Sequence, residues 1–175
     1  MVTRALAAIG MAATMLIAGP VSCGGAAFSP AVEVPEGYER IQVGDRWFVL
    51  EVVDDPMSRQ LGLGGRESIP EDGGMLFVFP DAALRSFVMR DCPIPIDILF
   101  LSPTGTITAM HAMTPEPPQG QNESDFAYEQ RLEKYGSRAA AMFAIELKGG
   151  TLEALELSVG DKIDFDHNGL SLQAR

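Results

Sequence analysis

Residues 73–79, Gly-Gly-Met-Leu-Phe-Val-Phe, and residues 86–101, Ser-Phe-Val-Met-Arg-Asp-Cys-Pro-Ile-Pro-Ile-Asp-Ile-Leu-Phe-Leu, carry two strongly apolar runs. Five consecutive apolar side chains, Met75 to Phe79, predict a strand covered on both faces. Arg90, Asp91 and Asp97 stand between and within the runs, where an apolar setting forces charges into pairs. Pro93 and Pro95 break the chain before a second strand over 96–101.

Reading outward towards the N-terminus, Arg40–Val43 and Arg46–Val53 flank Gly44-Asp45, the signature of a β-hairpin with a two-residue turn. Phe48, Leu50 and Val52 share the face expected to meet the core. Asp55-Pro56 predicts an N-cap and first position for a short helix carrying Arg59, ended by Gly62-Leu63-Gly64-Gly65. That glycine run lacks the Lys-Ser/Thr of a phosphate cradle and reads as a helix C-cap.

Reading towards the C-terminus, Pro80–Ala83 predicts a loop, 106–113 a strand and the Pro-rich stretch 115–124 a polar loop. A second helix is expected over 123–135, capped by Ser124, and strands over 140–147 and 159–165. The sum is mainly β with two short helices (α+β): a single compact sandwich or partly closed β-barrel-like domain. It occupies 40–166, after a flexible tether over 24–39 and before a C-terminal tail over 167–175.

The N-terminus reads as an address. After Arg4, residues 5–19 run without a charge, too short to span a bilayer comfortably but suited to a secretory signal. Val21-Ser22-Cys23 resembles a lipoprotein signal, in which small residues precede a Cys that is acylated; Pro20 stands where Leu is usual. The favoured reading is a lipoprotein-type signal over 1–23 with lipidation at Cys23, giving an exported domain anchored in the cell envelope. Cleavage after Ala27, leaving a periplasmic or secreted protein, and an uncleaved anchor are the alternatives.

Composition narrows the partners. The 175 residues hold 24 acidic and 13 basic side chains, a net charge of −11, which repels phosphate backbones; nucleic acid is not expected. Cys23 and Cys92 are the only cysteines, too few for a disulfide framework, so Cys92 reads as a small buried apolar residue.

Taken in order, several of these pieces resemble one family: Arg59-x-x-Gly62-Leu63 with Arg66, Gly74-Met75-Leu76-Phe77-Val78-Phe79, Phe87-x-Met89-Arg90, Pro95-Ile96-Asp97-Ile98-Leu99-Phe100, and Glu146-Leu147 with Gly150 and Gly160-Asp161. The chain from about Phe48 to Phe165 is similar to the domain-of-unknown-function 192 family. The resemblance implies a compact β-rich domain, often exported, and no established activity. This chain departs from the family pattern at Gly64, Val88, Asp91 and Ile96, where Met, Trp, Asn and Leu are usual.

Asp97 is the sharpest candidate, a carboxylate within Ile96–Leu101 that is expected to be enclosed and paired with Arg66 or Arg90. Arg59, Arg66, Arg90 and Asp97 are therefore the expected ligand-binding or buried ion-pair cluster. Three arginines on an acidic background would suit a small anionic ligand; an envelope protein is the other expected partner. A binding or structural module is preferred to an enzyme. The alternatives are a hydrolase using an Asp91/Asp97 carboxylate pair and an extracytoplasmic copper-binding protein with His111, Met113 and Cys92 as soft ligands. No metal is favoured and no cofactor is expected. Only two histidines and no Gly-x-Ser-x-Gly elbow leave Ser/His/Asp chemistry without support.

Overall fold

The computed structural model describes residues 33–175; the expected signal over 1–23 with Cys23, and the first part of the expected tether, lie outside them. Strands β1 (Tyr38–Val43) and β2 (Arg46–Val53) form the expected hairpin, with Val43 opposite Arg46 and Gly44 at φ 63° in the turn. Helix α1 (Pro56–Leu61) is capped by Asp55, whose carboxylate accepts from the amides of Met57 and Ser58. The chain then returns to place β3 (Gly73–Ala83) parallel to β2, a crossover that the expectation of a sandwich did not contain.

Next come β4 (Ser86–Phe87), β5 (Ile96–Leu101), β6 (Ile107–Met113), α2 (Asp125–Arg131), β7 (Tyr135–Gly136) and β8 (Ala141–Lys148). Two more short helices, α3 (Thr151–Ala154) and α4 (His167–Ser171), complete the described chain. Six strands make one mixed sheet in the order β1-β2-β3-β8-β5-β6, and β4 and β7 pair separately. The large sheet does not close, because β1 and β6 remain its edges. The protein is thus mainly β with short helices, an α+β fold with both faces of a central sheet covered.

Alternation along the central strands divides the core in two. Leu76, Val78, Leu99, Leu101, Phe143 and Ile145 point to one face, covered by Leu155, Ile163 and Leu170. Met75, Phe77, Ile96, Ile98, Phe100 and Ala144 point to the other, covered by Leu63, Ile69, Met89 and Tyr135. Every residue of β5 is buried, Asp97 included. Gly74 lets β3 approach β8: a Cβ there would lie 2.3 Å from the Glu146 carbonyl oxygen.

Three expectations are corrected. Residues 80–83 continue β3 through a register shift between Val78 and Ala83, an irregular stretch that tolerates Pro80. Residues 159–165 form no strand, only an isolated bridge between Thr106 and Lys162. The expected tail contains α4: Asp166 caps it by accepting from the Gly169 amide, and Leu170 is buried in the first core. A polar N-cap and a single apolar anchor suffice to dock so short a segment. Leu170→Ala should therefore cost about 2–4 kcal/mol in urea denaturation, as a core truncation does; an unchanged midpoint would place the end helix outside the cooperative unit.

Candidate functional site

A cleft of about 1140 Å³ opens on the second face of the sheet. One wall is α1 with its C-terminal glycines, another is the end of β3 and residues 84–88, and a third is the turn Arg90–Cys92. Gly62, at φ 53°, ends α1 with its amide donating to the Ser58 carbonyl, and its Cα lies against Phe77 closely enough that a Cβ would sit 3.4 Å from the ring. The Gly65 amide donates to the Asp91 carbonyl at 2.8 Å, tying the first wall to the third.

The lining is largely apolar. Phe77 and Phe87 pack edge to face at 4.9 Å between ring centres, and Phe79 joins Phe87 at 6.4 Å. Met57 and Leu84 stand exposed at the margin, 82% and 74% open to solvent. Arginines punctuate this surface. The Arg85 guanidinium carbon lies 4.1 Å from the Phe79 ring centre and that of Arg59 5.4 Å away. Arg59 donates to the main-chain oxygens of Val78 and Arg175, at 2.9 and 2.6 Å. Arg85 pairs with Asp81 and Arg90 with Glu129, each at 2.6 Å.

At the floor is Glu146, a residue outside the expected cluster. It lies on β8 between Met75 of β3 and Ile98 of β5 and is only 6% exposed. Its Oε2 has no hydrogen-bond partner among the described residues. Burial pushes its pKa up to about 8, with Arg66 opposing the shift only in part. The neighbouring Cys92 thiol is pushed up to about 11, by burial first and then by Glu146 and Asp91, so it stays protonated and unreactive at neutral pH.

The expected cluster divides. Arg59 and Arg90 line the cleft; Arg66 does not, and pairs with Glu51 at 2.6 Å beside a separate small pocket. Asp97 is enclosed as expected, at 1% exposure, but among the described residues no arginine pairs with it. Its side chain shares the first face with Leu99 and Leu101, on the far side of the sheet from the cleft. There it accepts from the Leu152 amide at 2.7 Å, and the amides of Gly150 and Thr151 also favour its charged form. Burial nevertheless raises its pKa. Asp97 thus caps α3, whose own N-cap residue is a glycine without a side chain.

Asp91 lies in the cleft and Asp97 behind the sheet, so the two do not form a catalytic pair. Asp91 sits at φ 53°, a left-handed conformation that Asp and Asn tolerate best, and its carboxylate meets the Tyr128 hydroxyl at 3.4 Å. Backbone shape thus accounts for an acid standing where the family pattern has Asn. His111 donates through Nε2 to the Gly136 carbonyl at 2.8 Å and packs edge to face on Phe100 and Tyr135. Met113 is buried in the second core, and no three His, Cys, Asp or Glu side chains converge as a metal site among the described residues.

Residues 39–165 match the domain-of-unknown-function 192 pattern, described as Uncharacterized ACR. The chain belongs to that family. No curated protein matches it. Among solved structures, it is similar to a Sinorhizobium meliloti protein named as a candidate transcription regulator, at 26% identity and TM-score 0.59, over 73% of this chain and 92% of that one. A Novosphingobium aromaticivorans protein of unknown function shares the fold at 19% identity and TM-score 0.58, over 84% of this chain and 100% of the other.

Both buried acids have folded-state pKa values above their unfolded ones, so they favour the folded state below the ordinary carboxylate range and this advantage is lost as pH rises through the folded value. For Glu146 the loss should run at about 1 kcal/mol per pH unit between about pH 5 and about pH 8, and Glu146→Gln should flatten that slope in denaturation curves. An identical slope in the variant would show that Glu146 is ionised in the fold. Asp97→Ala should cost about 2–3 kcal/mol by stranding the α3 amides, and Asp97→Asn, which keeps an acceptor, about 1 kcal/mol. Equal losses in both would argue against the cap.

Proposed function

We propose that this domain is an exported binding module whose cleft holds a small molecule with an anionic group on an apolar body. The observation that carries the reading is the meeting of Arg59 and Arg85 at the Phe79 ring inside an aromatic cleft. Arg59 gives its hydrogen bonds to main-chain oxygens, and no Asp or Glu side chain pairs with it among the described residues. Its guanidinium keeps N–H groups beyond those two bonds, and these can meet a carboxylate or phosphate of the ligand. Phe79 and Phe87, backed by the buried Phe77, offer the apolar body a surface of low conformational entropy.

Binding is favoured over hydrolysis because the sheet separates the two aspartates named for catalysis. A nucleic-acid role, suggested by the name of the Sinorhizobium meliloti protein, is opposed by the net charge of −11. The place of the domain in the cell envelope rests on the Val21-Ser22-Cys23 signal.

Benzoate, an aryl ring with one carboxylate, is a suitable first probe by ligand-observed NMR. Cleft binding at millimolar concentration should weaken about tenfold in Arg59→Gln, the loss of one charge-assisted contact. Equal affinity in wild type and variant would refute the anion subsite. Fatty-acid labelling of full-length protein in cells should mark the membrane fraction and vanish in Cys23→Ser; label retained in the variant would remove the proposed anchor.

A further inference from the structure

The cleft floor carries more information than its rim. Glu146 is held on a central strand of a six-stranded sheet with Met75 and Ile98 beside it, which fixes its backbone at the cleft floor. Its Oε2 is buried without a partner among the described residues, and the residue lines the cleft floor, where a bound molecule can meet the carboxyl group. A buried polar atom left unpaired is costly, and native structures leave few of them without a reason.

Three kinds of ligand group could meet this carboxyl. A cation would require its ionised form in a hydrocarbon setting and would first have to pass Arg59, Arg85 and Arg90. An anion would bring a second acidic group against the first. A neutral group that both gives and takes a hydrogen bond satisfies a protonated carboxyl without separating charge. We propose that Glu146 is the specificity-determining residue of the cleft and seats a neutral hydroxyl or carboxamide of the ligand. This rests on the cleft being a binding site and adds which chemistry it selects at its inner end.

The surrounding groups are consistent with a neutral acid. The β4–β5 connection presents Arg90, Asp91 and the protonated Cys92 thiol, the α1–β3 connection presents Arg66, and β3 and β5 present Met75 and Ile98. Arg66 is engaged with Glu51 and Arg90 with Glu129, so neither forms an ion pair with Glu146. Desolvation therefore dominates and keeps the proton on Glu146 at neutral pH.

The test uses four small probes that share one ring: benzyl alcohol, benzamide, toluene and benzylamine. Binding is measured by chemical-shift titration of the full chain, with cleft resonances reporting the location. In wild type at pH 7, benzyl alcohol and benzamide should bind about tenfold tighter than toluene, with benzylamine weakest. Glu146→Gln, which keeps a donor and an acceptor, should preserve that ranking, and Glu146→Met should erase it. Above about pH 8, as the acid ionises, benzylamine should gain on benzyl alcohol in the wild type and not in the Gln variant, which keeps the test open if the Met variant does not fold. A ranking indifferent to the side chain at position 146, or led by benzylamine, overturns this inference alone. Failure of all four probes to enter the cleft overturns it together with the reading of the cleft as a binding site.

Discussion

The architecture depends on placing two carboxyl groups inside a sheet that is covered on both faces. Asp97 and Glu146 lie on the adjacent strands β5 and β8, and alternation sends one to each side. Neither forms an ion pair among the described residues. The fold resolves Asp97 with main-chain amides, which supply donors at a helix start that has no local cap. It leaves Glu146, on the floor of the cleft, with an oxygen unpaired among the described residues. One acid closes the structure behind the sheet, and the other leaves an opening in front of it.

That asymmetry separates stability from function along a single pair of strands. The amides that receive Asp97 belong to the turn directly after β8, so the cap also fixes where the chain leaves the sheet. On the opposite face the cleft walls come from distant segments, held together by short main-chain links such as Gly65 to Asp91 and by the edge-to-face contacts of Phe77 and Phe87. Around this rim Arg90 and Arg85 pair with Glu129 and Asp81, while Arg59 donates to main-chain oxygens of Val78 and Arg175.

Local chemistry made much of the fold legible. The Gly44-Asp45 hairpin, the Asp55-Pro56 helix start, the buried run from Met75 to Val78 and the enclosed β5 strand all follow from turn residues, caps and apolar runs acting over a few positions. The parallel return of β3 beside β2 was not legible, because it depends on which edges remain free once the other strands have paired. Nor was the docking of α4, where Leu170 alone signals burial in an otherwise polar stretch. Glu146 did leave a signal, as a lone acid within the apolar strand 141–147, but its own strand does not record which face of the sheet becomes a cleft.

The sequence by itself determined that Asp97 is buried and that Arg59 and Arg90 stand in the segments around it, because burial follows from the hydrocarbon on either side of a residue in its own strand. Only the tertiary structure decided which partner each acid meets. Strand alternation and pairing order put Asp97 and the arginines on opposite faces, a relation between segments far apart in the chain. A partner across a sheet is set by the register of every strand between, and no local pattern records that sum.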